Sequence, residues 1–140
     1  MKRQAKPAEP VQDQDASRDE LVDLDLLRED PANARAHPDR NLAAIAVSLR
    51  RFGQQKPIVV DRENVIVAGN GMWRAAKLIG LAKVWIRRTM LAGAERMAYA
   101  LADNRTAELA KWDDAVLLEQ IKVLDAEDAI LRAVAGWDDD

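Results

Sequence analysis

Hydrophobic residues recur at two different spacings along the chain, and the shorter spacing is that of strands. From Val22 to Leu26 apolar and acidic residues alternate, as in a strand with one buried face. Two apolar β-branched runs, 57–60 and 65–68, are separated by four polar residues and predict a hairpin. Val84 and Ile86 alternate with basic and aromatic neighbours in the same way. The pattern therefore predicts strands near 21–26, 57–60, 65–68 and 83–88.

The longer spacing is that of helices. Apolar residues recur every three or four positions from Pro38 to Phe52, and Gly53 is the natural stop of this helix. A short helix is predicted after the second hairpin strand, and it ends at Gly80. The order of these elements predicts an α+β fold, in which a small mixed or antiparallel sheet is covered by helices and followed by a helical C-terminal part.

That C-terminal part begins near Ala92, where the strand signal ends. Met97 and Leu101 lie on one apolar stripe, and a second stripe contains Leu117, Leu118, Ile121 and Leu124. Trp112 and Asp113 separate the two stripes, and Asp113 is a credible N-cap for the second helix. We therefore predict at least two helices between residue 92 and the C terminus.

The stretch Gly69-Asn70-Gly71 stands between the strand at 65–68 and the helix that follows it. Glycines permit positive φ and a close approach of the backbone to a ligand, and the first amides of a helix are unpaired donors. Arg74 lies on the same helix, with Lys77 three residues further on. The stretch is predicted to bind a phosphate. The alternative is a tight connection whose glycines serve geometry alone, because the spacing matches neither standard glycine-rich nucleotide signature.

A second polar loop, Asp30 to Pro38, is kept from forming a helix by its two prolines. Arg35 in this loop is a good phosphate ligand, because a guanidinium is always charged and binds as a fork. His37 is the single histidine of the chain, and we interpret it as a loop residue rather than a general base. Trp73 and Trp85 could stack on bases, but packing is their simpler role.

Composition limits the chemistry. The chain has no cysteine, which excludes disulfides, thiol catalysis and cysteine-bound metals and fits a reducing cytoplasm. Residues 1–20 contain no continuous apolar run, so we expect no membrane anchor. Their polar, proline-containing composition predicts a disordered tail over 1–19.

Charge is unevenly distributed, although the net charge is only −3. Residues 50–96 carry 10 basic and 3 acidic side chains, a net charge of +7, and residues 97–140 carry 4 and 11, a net charge of −7. A local positive field suits a nucleotide or DNA. Mutual neutralisation of neighbouring surface groups is the alternative.

Three motifs in order carry a resemblance to a known family. They are Gln55-Lys56-Pro57-Ile58-Val59-Val60, then Ala68-Gly69 followed after three residues by Trp73-Arg74-Ala75-Ala76-Lys77-Leu78-Ile79-Gly80-Leu81, then Ala102-Asp103-Asn104-Arg105. This succession resembles the N-terminal domain of the ParB family, of ParB/sulfiredoxin-like fold. The resemblance implies a domain over 20–112 with an acidic helical extension over 113–140, similar to the small ParB-like proteins of phages and mobile elements.

The resemblance also implies roles for particular residues. The helix-entry loop, here Gly69, Asn70 and Gly71, would hold a nucleoside triphosphate such as CTP or ATP. Gln55 and Pro57 would lie near the base, and Asp103 and Asn104 would help to bind Mg²⁺.

The departures from the family are equally informative. Where the chromosome-segregating members have Gly-Glu-Arg-Arg, this chain has Gly69-Asn70-Gly71-Met72, so that triphosphate binding is expected to be weaker or the ligand different. Sulfiredoxin chemistry is excluded because it needs a cysteine in this loop. Only 35 residues follow the last motif, which ends at Arg105, so we expect no helix-turn-helix domain here.

The leading hypothesis is a cytoplasmic, nucleotide-binding, DNA-associated module of a phage, plasmid or mobile element. Its DNA contact would use the basic 50–96 block, and a homodimer is one expected assembly. A metal-dependent nuclease or a nucleotide-hydrolysing or phosphotransfer enzyme of the same fold is the first alternative. An adaptor that has lost ligand binding is the second.

Overall fold

The computed structural model describes residues 19–137, and the predicted tail therefore lies almost wholly outside the described residues. Within them the elements follow in the order β1 (Glu20–Asp23), a 3-10 turn (Leu24–Leu26), α1 (Asp39–Phe52), β2 (Ile58–Val60), β3 (Ile66–Ala68), α2 (Asn70–Leu78), β4 (Lys83–Arg88), α3 (Gly93–Leu109), α4 (Asp114–Glu127) and α5 (Ala129–Val134). The predicted α+β class is confirmed.

The strands form one mixed sheet in the order β1-β4-β2-β3. The β2–β3 pair is the predicted antiparallel hairpin, and β1 is antiparallel to β4. β4 runs parallel to β2, with Ile58 opposite Ile86, and helix α2 carries the chain from β3 on one side of β2 to β4 on the other. The sheet therefore places the end of β3 at its edge, where the chain turns into α2.

The core lies between this sheet and helices α1 and α2. Its largest fully buried side chains come from the strands and are Ile58, Ile66, Ile86, Val60 and Val84. Ala75 and Ala76 of α2 are 0% exposed, so α2 sits close against the sheet. On β4 the predicted alternation is confirmed, since Val84 and Ile86 are buried while Trp85 is exposed. Close packing of α2 on the sheet fixes where its N terminus lies.

The first strand is shorter than the sequence predicts. Alternation predicted a strand over 21–26, but β1 ends at Asp23 and Leu24–Leu26 forms a 3-10 turn. The turn brings Leu24 and Leu27 into the core, with exposures of 5% and 3%. A 3-10 turn places residues three apart on one side, so burial of this pair outweighs the alternating pattern.

The C-terminal helices differ from the predicted packing. Helix α3 has no buried residue along its 17 residues, and Met97 and Leu101 of the predicted stripe are 59% and 51% exposed. Asp113 caps α4 as predicted, its side chain accepting a hydrogen bond from the Val116 N–H at 3.2 Å. Polar contacts hold α3 to the rest of the fold, including the ion pairs from Arg96 to Asp30 and Asp61 at 3.2 and 3.1 Å.

Truncating a fully buried strand residue provides a stability test of this core. Ile86→Val is expected to lower the free energy of unfolding by about 1 kcal/mol, because it removes one methylene from a closely packed site. Ile130→Val makes the same chemical change at a side chain that is 63% exposed and should change the stability by less than about 0.5 kcal/mol. Urea denaturation of both variants measures the difference, and equal losses would contradict the assignment of Ile86 to the core.

Candidate functional site

The turn from β3 into α2 consists of a single residue, Gly69. Its φ is +108°, a backbone conformation that favours glycine, and a Cβ there would lie 3.3 Å from the Ile58 side chain. Asn70 and Gly71 already belong to the helix, so the predicted three-residue loop is wrong in extent. No side chain caps this helix. The first amides of α2 are therefore available to a ligand at the positive end of the helix dipole.

A small cavity of about 140 Å³ lies at this helix start, and we call it the inner cavity. Four separate segments contribute to it: the Asp30–Pro38 loop, α1, the β3–α2 turn and α3. Six of the residues predicted from the sequence line it, namely Arg35, Gly69, Asn70, Gly71, Asp103 and Asn104. The fold thus brings together most of the predicted phosphate and metal ligands, which lie up to 69 positions apart in the numbering.

A larger depression of about 730 Å³, the outer groove, adjoins the inner cavity and shares Asn33, Arg35 and His37 with it. Arg74 and Glu29 also line the outer groove. Small-molecule sites commonly occupy about 300–1,000 Å³, so the groove has room for a ligand of nucleotide size and the cavity only for part of one. Together the two form a cleft, with both predicted phosphate-binding arginines along it.

Arg74 does not extend freely into this cleft. Its guanidinium donates two hydrogen bonds to Glu29, through Nε to Oε1 and through Nη2 to Oε2, the latter at 2.8 Å. These bonds hold the pKa of the Glu29 carboxyl below its usual value, although partial burial acts in the opposite direction. The charges of Arg74, His37 and Lys77 lower it further. Arg74 is therefore already bound to a carboxylate where a phosphate was predicted.

Arg35 is engaged in a similar way, but more weakly. Its Nη1 lies 3.2 Å from Glu108 Oε1 on α3, and the two side chains are 40% and 52% exposed. The loop that carries it is shaped by Asn33, whose Oδ1 accepts a hydrogen bond from the Arg35 N–H at 3.2 Å. Arg35 lines both the inner cavity and the outer groove.

His37 lies in the loop, as the sequence indicates, but it also lines the inner cavity and the outer groove, which the sequence did not predict. Its Nδ1 lies 2.8 Å from the Asn41 Oδ1, and its ring rests against Gly71, where an added Cβ would be 2.6 Å from Cε1. Gly71 has no positive φ. Glycine is therefore required at position 71 for a reason other than positive φ. The imidazole of His37 approaches so closely that it leaves no room for a side chain. The signal in the sequence was the position of His37 in a proline-bounded loop beside Arg35.

The predicted metal ligands lie on α3. Asp103 and Asn104 lie within this helix, which continues to Leu109 because no glycine or proline interrupts it before that residue. The Asn104 Nδ2 donates to the Ala100 carbonyl at 3.2 Å, leaving Oδ1 as its free acceptor. Burial and the negative charge of Asp103 raise the pKa of the Tyr99 phenol.

The oxygen atoms around the inner cavity fit a hard cation. Asp103 contributes a carboxylate and Asn104 an amide oxygen, which are ligand types that Mg²⁺ accepts. Asn70 is 6% exposed, and its Oδ1 is buried without a hydrogen-bond partner. Between residues 19 and 137 no group of three or more His, Cys, Asp or Glu side chains could hold a metal. A cation bound here would therefore also need oxygen atoms from a bound small molecule, such as the oxygens of a phosphate.

Gln55 and Pro57 do not line the inner cavity or the outer groove. The Gln55 Nε2 donates to the Phe52 carbonyl at 2.7 Å, at the end of α1. The neighbouring Gln54 bonds both the N–H and the carbonyl of Trp85 on β4, each at 2.8 Å. This segment thus fastens the start of β2 to β4, and the described contacts give it a structural role.

The basic block is largely neutralised. Six of its ten basic residues form ion pairs with acidic residues within the described part of the chain, and these six are Arg51, Arg74, Lys83, Arg87, Arg88 and Arg96. Most of their partners come from the first strand and its flanking loops, which are acidic. The described ion pairs therefore favour neutralisation over a continuous cationic surface.

In the same described region, no helix has both the length and the apolar composition to cross a membrane.

Comparison with known families accounts for this architecture. Residues 8–105 match the family model of the ParB N-terminal domain, so the chain belongs to the ParB N-terminal domain family. A curated relative, the probable chromosome 2-partitioning protein ParB of Deinococcus radiodurans, is 36% identical over 109 residues, which are 68% of this chain and 37% of that protein. The chain thus spans about a third of the length of this relative.

Solved structures agree in fold. The C-terminally truncated chromosome-partitioning protein ParB from Caulobacter crescentus, complexed with CTP-γ-S, superposes with a TM-score of 0.70 at 24% identity. The match covers 79% of this chain and 64% of that one. The same truncated protein complexed to the centromeric parS site gives a TM-score of 0.52 at 23% identity, covering 79% and 58%. At these identities the likeness establishes the fold.

Proposed function

We propose that this chain is a nucleotide-binding, DNA-associated ParB-like module that holds a nucleoside triphosphate with Mg²⁺ in the cleft at the start of α2. The observation that carries the proposal is the convergence of four segments on the inner cavity. They bring together an uncapped helix N terminus, a guanidinium and a pair of hard oxygen ligands. These are the groups that a magnesium triphosphate needs, and they lie beside a groove of suitable size.

In this proposal each group has a distinct task. The amides at the start of α2 donate to phosphate oxygens, and Arg74 and Arg35 neutralise the chain of phosphates from the outer groove. Asp103 and Asn104 hold the Mg²⁺, which supplies further positive charge. Gln55 and Pro57 are assigned to the base side of the site by family resemblance. CTP is the first nucleotide to test, because the solved Caulobacter neighbour is complexed with a CTP analogue, and ATP is the natural comparison.

The charge inventory of the cleft supports a need for the cation. Arg35 and Arg74 contribute two positive charges, whereas Glu29, Asp30 and Asp103 contribute three negative ones. Even a positive charge on His37 would only bring the sum of the lining charges to zero. A triphosphate with several negative charges therefore requires Mg²⁺ for neutralisation.

Asn104→Ala tests the metal assignment. The variant is expected to lose most of its triphosphate affinity in Mg²⁺ and to respond little to the removal of Mg²⁺, because one of two cation ligands is missing. Alanine is a better helix former than asparagine, so the interior of α3 should stay folded. Calorimetric titration with CTP across magnesium concentrations measures this, with Gln120→Ala on α4 as an amide-removal control. A variant that retains the magnesium dependence of the wild type would place the cation on other residues.

DNA association and self-association complete the proposal. The Caulobacter neighbour complexed to parS supports a DNA partner, and the basic residues of the 50–96 block outside the ion pairs are the candidate contacts. The exposed apolar side chains of α3 and α4, among them Met97, Leu101 and Val123, support a homodimer.

The resemblance to small ParB-like proteins supports a phage, plasmid or mobile-element setting. Release of phosphate from bound nucleotide would instead assign the cleft to a nucleotide-hydrolysing enzyme.

A further inference from the structure

Glu29 holds the position on Arg74 that the ligand needs. A carboxylate presents two oxygen atoms in the geometry that a guanidinium fork binds, and a phosphate presents the same pair. Glu29 makes this two-point contact through Oε1 and Oε2. Because Glu29 and Arg74 both line the outer groove, a phosphate that reaches Arg74 there meets a bound carboxylate first.

The environment keeps Glu29 charged and in place. Hydrogen bonds from Arg74 lower the pKa of its carboxyl, so it stays ionised at neutral pH. Its side chain is 28% exposed, compared with 52% for Glu108, the partner of Arg35. Exposed ion pairs are weak, and the Glu29 pair is therefore the stronger of the two barriers to an anion.

If a phosphate displaced Glu29 from Arg74, the Glu29 carboxylate would remain as a negative charge close to the ligand. It borders a second groove of about 810 Å³ that also contains Lys77, whose charge already acts on the Glu29 carboxyl. A carboxylate that turns away from Arg74 thus keeps a cation nearby, but it still repels a polyanion in the outer groove. A divalent cation on the ligand reduces this repulsion.

We propose that Glu29 is an internal competitor for the phosphate position on Arg74 and that it makes triphosphate binding depend on Mg²⁺. The inference rests on the proposed function, and it adds that Glu29 regulates the binding of the triphosphate. Binding without Mg²⁺ must replace a bound carboxylate with a more highly charged anion and leave that carboxylate close by. Binding with Mg²⁺ meets less of this repulsion.

The test is a comparison of the wild type with Glu29→Gln in calorimetric titrations with CTP and with inorganic tripolyphosphate, each in Mg²⁺ and in EDTA. Glu29→Gln is expected to tighten binding about tenfold in EDTA and less in Mg²⁺, so that the ratio of the two Kd values falls. Glu108→Gln should act in the same direction with a smaller effect. Glu119→Gln on α4 removes the same charge far from the cleft and should leave both Kd values unchanged.

Glu29→Ala provides a second variant, and thermal unfolding shows whether each variant is folded. If the wild type binds and both folded Glu29 variants bind with the same or lower affinity in EDTA, Glu29 supports Arg74 rather than competing for it, and the inference is overturned. If no variant binds either ligand in any condition, the proposed function and the inference fall together.

Discussion

Gly71→Val is expected to lower the free energy of unfolding by about 3 kcal/mol and to abolish ligand binding at the inner cavity. The reason is the His37 ring, whose Cε1 and Nδ1 would lie 2.6 and 2.7 Å from the new Cβ. Ile45 Cδ1 on α1 would lie 3.1 Å from the same Cβ, so the new side chain also meets α1. The valine must therefore expel His37 and with it deform the loop that carries Arg35. Urea denaturation and CTP titration measure the two effects.

Gly80→Asn is the matched control. Gly80 has a φ of +79°, which asparagine tolerates better than other side chains, and a Cβ there would meet nothing within 4 Å. The free energy of unfolding of the Gly80→Asn variant should be lower than that of the wild type by less than about 1 kcal/mol. Gly71→Ala should show an intermediate loss, because it introduces the clash without β-branching. Equal melting of the valine and asparagine variants would mean that His37 does not lie against α2.

Arg74→Ala is expected to weaken triphosphate binding by about ten- to a hundredfold, the usual range for the loss of a charge-assisted contact. Two effects act together, since the variant removes a phosphate ligand and leaves Glu29 without its hydrogen-bond partner in the groove. Isothermal titration with CTP in Mg²⁺ measures the loss. Arg50→Ala on α1 removes one positive charge outside the cleft and is the control for net charge.

Arg74→Lys separates charge from geometry at the same position. Lysine keeps the positive charge but lacks the planar fork, so it should recover part of the affinity and not all of it. An Arg74→Ala variant that is folded and binds CTP as the wild type does would place the phosphate site elsewhere on the protein.

Much of the fold could be predicted because local pattern and burial agree. The stripe of α1, the hairpin of β2 and β3 and the alternation of β4 each follow a simple period and bury the expected side chains. The first strand was predicted too long because a 3-10 turn buries Leu24 and Leu27 at a spacing that alternation does not reveal. The apolar stripe of α3 predicted packing that the structure does not show, because an amphipathic pattern does not reveal which element, if any, covers the apolar face.

The sequence predicted which residues line the candidate site better than it predicted the contacts that these residues make. Backbone chemistry identified the start of α2, and resemblance supplied Asp103 and Asn104, which line the same cavity. The contacts of Glu29 with Arg74 and of His37 with Gly71 were not predicted, because the partners lie 45 and 34 positions apart and no local period reveals them. The ion pairs of the basic block depend on tertiary packing in the same way.

The central claim is that the cleft binds a magnesium nucleoside triphosphate, and titration of the wild-type chain with CTP in Mg²⁺ and in EDTA tests it most directly. The account predicts saturable binding with a stoichiometry of one nucleotide per chain in Mg²⁺ and a Kd at least about tenfold higher in EDTA. Equal affinity in the two conditions, or no heat of binding with CTP or ATP in either, would contradict it.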